Sequence, residues 1–318
     1  MSRVVILESE HYSPSAIELY TRLGTVAFGE EVKKNSEEVL KEAEVLVIRL
    51  GTVSKTLLDQ APHLKVIASP TTGLNHINLE EVQKRGITIV SLKGRRDLTE
   101  KIYATSEHTI ALLLGLIRRI PAFQTQVLQY GWDRQQFIGS EIAGKTVGII
   151  GCGRLGIRVA EIVRVMGAHV IGSDPYQTQE SVPDFIERVN EEALLAQSDI
   201  ISLHADFRQE NIHLLSQEQF MKMKEGAFFI NTSRGQLVDE RALLEALRSE
   251  HLAGAALDVM DHESPDGNHL QDNPLIEYAA THDNLIITPH IGGATKESMA
   301  LTEESIALEV LKIFKDKK

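Results

Sequence analysis

Residues 145–174 hold, in order, an apolar β-branched run (Lys145–Ile150), the hexapeptide Gly151-Cys-Gly-Arg-Leu-Gly156, a helix-periodic stretch (Ile157–Met166) and a second apolar run (Ala168–Ser173) ending in Asp174. Few folds accommodate that series. A G-x-G-x-x-G alone is a weak signal in a chain with 22 glycines. Set between strand, helix and strand, it is the fingerprint of a dinucleotide-binding βαβ unit. In that reading Gly151 makes the tight turn, Gly153 lets a pyrophosphate approach the backbone, and Gly156 lets helix and strand pack. The N–H groups of Arg154 and Leu155 then face the pyrophosphate at the positive end of the helix. Asp174 can accept hydrogen bonds from the adenosine ribose hydroxyls and would repel a 2′-phosphate. Pro175-Tyr176-Gln177 supplies no arginine to reverse that preference, so NAD is favoured over NADP. Cys152, the single cysteine, reads as a small buried filler, because no second thiol exists to resolve a redox reaction.

The rest of the chain repeats this alternation. Strand runs are Val4–Leu7, Val45–Arg49, Lys65–Ser69 and Thr88–Val90, with helical patterns at Ser36–Ala43 and Leu79–Arg85 between them. A second series follows at Thr146–Ile150, His169–Ser173, Ile200–Leu203, Ala227–Asn231, Gly254–Leu257 and Leu285–Thr288. Strands alternating with helices imply parallel sheets covered on both faces. The expected fold is α/β, with two doubly wound parallel-sheet domains: a Rossmann NAD-binding domain over 101–290 and a flavodoxin-like substrate domain over 1–100 plus 291–318. Thr105–Arg119 is apolar nearly all round, which points to a helix buried between domains or at a subunit interface and interrupted or ended by Pro121. A helix over Lys296–Phe314 is expected to return to the first domain. That would explain why no Pro/Gly/Ser linker is visible.

Composition removes other classes. With 318 residues and 42% hydrophobic residues, the chain can bury a sizeable core. The net charge of −12, without a long basic run, argues against nucleic-acid or acidic-membrane partners. One cysteine rules out a disulfide framework or a Cys-rich zinc site, and no metal is expected. The longest apolar stretch, Ile110–Ile117, is far short of a membrane span, and Met1–Glu8 lacks the apolar length of a signal peptide. A cytoplasmic protein acting on a small-molecule substrate is expected.

Open parallel sheets deliver their active residues at the carboxyl ends of strands. Here Ala227–Asn231 is followed by Thr232-Ser233-Arg234-Gly235, Gly254–Leu257 by Asp258 and then Glu263, and Leu285–Thr288 by Pro289-His290-Ile291-Gly292. An Arg, an acid and a His at the mouth of a nucleotide-binding sheet suit one chemistry. Arg234 can hold a substrate carboxylate and polarise the adjacent carbonyl. His290 can remove a hydroxyl proton as hydride leaves for nicotinamide. Glu263 can orient the imidazole and stabilise its protonated form. Other roles remain open on spacing alone: His290 is one of 12 histidines, Arg234 can simply cap its loop, and Asp258 can simply bind neighbouring backbone N–H groups.

Asn231–Leu243, Gly254–Val259 and Thr288–Thr295 resemble the signatures of the D-isomer-specific 2-hydroxyacid dehydrogenases. Gly131–Ile150 resembles the phosphoglycerate dehydrogenase branch in particular. The likeness covers nearly the whole chain. It implies Arg234 as substrate anchor, Glu263 as partner and His290 as acid/base. It also implies Asp258 near the nicotinamide amide, with Thr232 and Gly292 among the cofactor contacts, a homodimer through the NAD-binding domain, and an active cleft between two domains. Related formate dehydrogenases carry Gln at the Glu263 position, so formate is disfavoured.

The substrate side departs from the pattern. The family's glycine-rich carboxylate loop is Ser69-Pro-Thr-Thr-Gly-Leu-Asn-His76, with Thr71 where a second glycine is usual; Thr72 and Gly73 still offer N–H groups. Arg49 matches an arginine used near the substrate phosphate, against the plainer reading of a surface ion pair. Lys93, Arg95 and Arg96 lie in a lengthened segment that reads as a solvated basic loop, with contact to an anionic substrate tail as the alternative. Asp206 replaces a common proline beside the nucleotide and is expected to weaken binding slightly. The chain ends soon after its last helix, so the C-terminal regulatory domain of longer phosphoglycerate dehydrogenases, and feedback inhibition through it, are not expected. The leading expectation is hydride transfer between NAD and a D-2-hydroxy acid, phosphoglycerate first. Alternatives are a glyoxylate/hydroxypyruvate reductase and an NAD(H)-responsive dimeric binding protein of the corepressor type.

Overall fold

The computed structural model of the chain describes residues 2–133, 135, 138–264 and 266–315. Arg134, Gln136 and Phe137 of the Gly131–Ile150 segment lie outside the described residues, as do residues 1 and 316–318 at the ends of the expected first domain. Two compact units are present: Met1–Tyr103 with Ala294–Lys318, and Ala104–Gly293.

The first unit is a sheet of β1 (Ser2–Ile6), β2 (Gly24–Phe28), β3 (Ala43–Val47), β4 (Val66–Ser69) and β5 (Thr88–Ser91). Every pairing is parallel and the order is β2-β1-β3-β4-β5, the doubly wound order of flavodoxin-like sheets. Val5, Leu46 and Ile67 from its central strands meet Leu58 and Val82 from the covering helices. Strand β2 escapes sequence reading because it is a mostly half-buried edge strand that opens on a glycine and carries one β-branched apolar residue, Val26. The helix Ser36–Lys41 ends before Ala43, which belongs to β3, and Arg49 lies two residues beyond that strand. Ser13 caps the helix Pro14–Thr21, whose proline sits where a missing N–H costs nothing. The helix Lys296–Lys315 packs on that helix and on β4 and β5, burying Ile306, Ala307 and Val310.

The second unit is a sheet of β6 (Thr146–Ile150), β7 (His169–Ser173), β8 (Glu187–Arg188), β9 (Ile200–Leu203), β10 (Ala227–Asn231), β11 (Leu252–Leu257) and β12 (Leu285–Ile287). Its order is β12-β11-β10-β9-β6-β7-β8, again parallel throughout. The order reverses between β6 and β9, where the carboxyl ends open a crevice. The helix expected over Thr105–Arg119 runs Ala104–Ile117. It ends before Arg119, whose φ of 53° is left-handed, and Pro121 opens a second helix, Ile120–Leu128, rather than interrupting the first. Much of the burial expected of this first helix comes from its own unit. Ile110, Leu113, Leu116 and Ile117 share a core with Val147, Ile149 and Val159 of the same unit. Its apolar residues are spread round the helix because it lies against both the sheet and the helix Arg154–Val165. Among the described residues, no helix is long and apolar enough to cross a membrane.

Candidate active site

At the switch point of the second unit, Gly151-Cys-Gly-Arg-Leu-Gly156 joins β6 to the helix Arg154–Val165. Gly151 has a φ of 92°, which a side chain rarely adopts, and a Cβ there would strike the His204–Ala205 backbone. A Cβ on Gly156 would overlap the Gly151 carbonyl oxygen. A Cβ on Gly153, by contrast, would meet open space. Gly153 is also the N-cap, and no side chain caps that helix. An open approach above a glycine, at an uncapped helix N-terminus, fits a pyrophosphate. Asp174, at the end of β7, lies across the loop: Oδ2 accepts from Cys152 N at 2.9 Å and Oδ1 from Tyr176 N at 2.8 Å. These residues fit a dinucleotide. Cys152 is buried, and burial together with the nearby Asp174 charge pushes its thiol up to about 11, an inert filler.

The three expected catalytic side chains lie in this unit. His290 Nδ1 is 2.6 Å from Glu263 Oε2. A carboxylate only accepts, so Nδ1 carries the proton and Nε2 is the nitrogen left to exchange one. Glu263 Oε1 accepts from Met260 N at 2.8 Å. Burial disfavours its charge, but His290, Met260 N and Arg234 outweigh burial and leave the carboxyl below the ordinary glutamate range. Arg234 follows β10; its guanidinium donates to the Ser233 carbonyl at 2.6 Å. Burial pushes the guanidinium down, with Glu263 and Asp206 acting the other way. Asp206 therefore faces Arg234 electrostatically, and its carbonyl accepts from Asn211 Nδ2 at 2.7 Å. Gly235 fixes the approach of two loops, since a Cβ there would occupy the Met260 carbonyl.

Asp258 is 2% exposed and gathers the turn after β12. Its Oδ1 accepts from Thr288 Oγ1 at 2.6 Å, Ile291 N at 2.9 Å and His108 Nε2 at 3.1 Å, and its Oδ2 from Gly292 N at 2.8 Å. His290, within that turn, has a φ of 51°, a conformation costing about 1–3 kcal/mol that persists only where its surroundings over-determine it. Thr232 is buried with its hydroxyl 2.8 Å from Thr109 Oγ1. His108, Thr109 and Thr288 were missed in the sequence. Their signal was the polar run Thr105-Ser106-Glu107-His108-Thr109 opening an otherwise apolar helix.

The substrate-side residues lie in the first unit, at the ends of β3 and β4. Arg49 donates from Nη2 to the carbonyls of Glu8 and Glu10, both at 2.7 Å, and from Nη1 to Glu303 at 3.4 Å. The Glu8 carboxylate accepts from the N–H groups of Arg49, Leu50 and Gly51. Thr72 and Gly73 follow β4, and the Thr71 hydroxyl donates across that turn to Gly73 O at 2.9 Å. Arg95 is bidentate to Asp97 and pairs with Glu309 at 3.6 Å, the arrangement of a solvated basic loop.

Residues 110–292 match the family model described as "D-isomer specific 2-hydroxyacid dehydrogenase, NAD binding domain". The chain is 34% identical over 315 residues to a D-3-phosphoglycerate dehydrogenase of Archaeoglobus fulgidus, covering 98% of this chain and 57% of that protein. It is 35% identical over 293 residues to one of Bacillus subtilis, covering 91% and 53%. It thus spans about half the length of the curated relatives it matches. Among solved structures, the TT0316 protein of Thermus thermophilus superposes with a TM-score of 0.83 at 32% identity, covering 99% of this chain and 97% of that one. A D-lactate dehydrogenase of Aquifex aeolicus, complexed with NAD and lactic acid, superposes at 0.84 with 27% identity, covering 99% and 96%. With its fingerprint, its NAD-binding unit and its Arg–Glu–His set in place, the chain belongs to the D-isomer-specific 2-hydroxyacid dehydrogenases.

Proposed function

We propose that this protein interconverts a D-2-hydroxy acid and its 2-oxo acid with NAD. The observation that carries the reading is the His290–Glu263 pair at 2.6 Å, in one unit with Arg234 and the open glycine loop. Gly151, Gly153, Arg154, Leu155, Gly156 and Asp174 hold the dinucleotide, and Thr232, Asp258 and Gly292 shape its nicotinamide end. Bound NAD supplies the hydride acceptor, or as NADH the donor. Arg234 binds the substrate carboxylate through its planar fork and draws electrons from the neighbouring carbonyl oxygen. In oxidation His290 Nε2 takes the hydroxyl proton; in reduction it returns that proton to the carbonyl oxygen. Glu263, held ionised, accepts the Nδ1 proton and keeps the ring turned so that Nε2 faces the substrate.

The resemblance to phosphoglycerate dehydrogenases favours a phosphorylated substrate with Arg49 on the phosphate. One observation favours a second reading, a glyoxylate or hydroxypyruvate reductase: the Arg49 guanidinium already serves the carbonyls of Glu8 and Glu10. NADH oxidation against phosphohydroxypyruvate, hydroxypyruvate and glyoxylate separates the two, and silence on every 2-oxo acid tried would overturn the enzyme reading. Arg234→Lys, losing the fork, raises KM by about tenfold, or ~1.4 kcal/mol; unaltered kinetics would remove its anchor role.

A second copy of this chain is the partner we propose. The helix Ile120–Leu128 buries none of its residues, its own Ile120, Val127 and Leu128 are exposed, and so are Trp132 and Ile138 in the segment that follows it. A patch of that kind suits a self-complementary interface. Sedimentation at micromolar concentration should give twice the chain mass, and Leu128→Glu should halve it. The cytoplasm, which keeps thiols reduced, suits the single free Cys152.

A further inference from the structure

The helix Ala104–Ile117 presents two adjacent polar side chains to the two loops that carry the proposed chemistry. His108 Nε2 is 3.1 Å from Asp258 Oδ1 and 3.0 Å from Thr288 Oγ1. The Thr288 hydroxyl donates to Asp258 Oδ1, and a carboxylate has no proton to give. The proton between them and the imidazole must therefore sit on His108 Nε2, shared between two acceptors. Asp258 in turn collects the N–H groups of Ile291 and Gly292, and its own carbonyl accepts the N–H of His290 at 2.8 Å. Two successive N–H groups turned onto one carboxylate form a nest, and the left-handed His290 lies immediately before it. His108 thus completes the hydrogen bonding of the carboxylate on which the His290 turn hangs.

Thr109 faces the other loop. Its hydroxyl donates to the Thr105 carbonyl at 2.7 Å, so at the 2.8 Å contact the Thr232 hydroxyl is the donor to Thr109. Thr232 stands two residues before Arg234, and Ser233 between them is tied by its hydroxyl to the Ala205 carbonyl. One turn of helix therefore references both loops to the same rigid element, His108 the acid/base and Thr109 the anchor.

We propose that His108 and Thr109 are positioning residues, His108 setting the place of His290 and Thr109 that of Arg234. The proposal rests on the dehydrogenase reading above. It assigns different kinetic losses to neighbouring side chains: the chemical step for His108, substrate binding for Thr109. A merely structural role would move folding and both constants together.

The test compares His108→Leu with His108→Gln, whose amide N–H replaces Nε2–H, and Thr109→Val with Thr109→Ser. NADH oxidation and NADH fluorescence titration give kcat, KM and cofactor affinity. Proton NMR follows the downfield Nδ1–H resonance of the His290–Glu263 bond, identified by its loss in His290→Asn. H108L should lower kcat by about 10²-fold, the effect of misplacing a reacting group by an ångström, with NADH affinity kept and the His290 resonance shifted or broadened. H108Q should recover most of both. T109V should raise KM by about tenfold, ~1.4 kcal/mol of lost substrate binding, with kcat little changed, and T109S should recover it. Equal losses in H108L and H108Q, or wild-type kcat and an unmoved resonance in H108L, would overturn the proposal. Should the parent protein turn over no 2-oxo acid, the dehydrogenase reading falls, and the resonance in H108L against H108Q still decides whether His108 positions His290.

Discussion

Both units are doubly wound parallel sheets with a switch point, yet they finish that point in opposite ways. In the second unit the switch-point helix is uncapped and the position above Gly153 is open. In the first, the loop after β3 has its N–H groups filled by the chain's own Glu8, and Arg49 is spent on the Glu8 and Glu10 carbonyls. The same topology leaves donors for a ligand in one place and satisfies them internally in the other. A parallel sheet thus offers a crevice, and side chains decide whether the crevice is a site.

The contrast can be broken by experiment. The largest effect should come from His290→Ala, which removes the proton carrier and should lower kcat by about 10²–10⁴-fold. NADH should still bind, since the open end of the sheet is untouched; unchanged turnover would sink the acid/base assignment. Next is Gly153→Val. Among the described residues nothing lies within 4 Å of a Cβ at that position, so melting should hold while NADH affinity falls by about 10²-fold, ~2.7 kcal/mol. A drop in melting temperature with affinity intact would mean that the opening is structural.

Glu8→Ala should do the reverse. It leaves NADH affinity alone and costs about 1 kcal/mol, because the N–H groups it served lose a charged acceptor but can still reach water. Chemical denaturation measures that loss, and a variant as stable as its parent would show that water serves the loop equally well.

The smallest effect separates the units by pH. Burial raises the Glu303 carboxyl above its ordinary value, against Ser13 N and Arg49, so its contribution to stability is complete in acid and is lost as pH rises through the raised value. Glu263 is lowered, so its contribution is present at neutral pH and is lost as pH falls through that lowered value. Glu303→Gln should therefore gain stability relative to the parent as pH rises through the raised Glu303 value; a relative loss over that rise would reverse the sign assigned to Glu303.

What the sequence disclosed follows the same physics. The central strands of the second unit are buried on both faces, so β6, β9 and β10 stand out as runs such as Thr-Val-Gly-Ile-Ile and Ala-Phe-Phe-Ile-Asn. Of the four edge strands, β5 and β12 still carry apolar β-branched runs and are legible, whereas β2, which opens on a glycine, and the two-residue β8 carry none and are invisible for that reason. The Arg119 break depends on a left-handed residue that no glycine announces. Arg234, Glu263 and His290 are legible because each closely follows a strand. His108 is not, because its partners Asp258 and Thr288 are 150 and 180 residues away in sequence. The substitution of Thr71 for glycine looks like a loss in the sequence, yet its hydroxyl bridges to Gly73 O and braces the turn.

The return of the helix Lys296–Lys315 to the first unit sets the order in which this protein can be completed. The ribosome finishes residues 104–293, a self-contained sheet with its own core, before it makes the helix that covers β4 and β5. The unit begun first is finished last. Until that helix emerges, the apolar face it covers has only solvent or a chaperone to meet, and that interval is when the nascent chain is most exposed to aggregation.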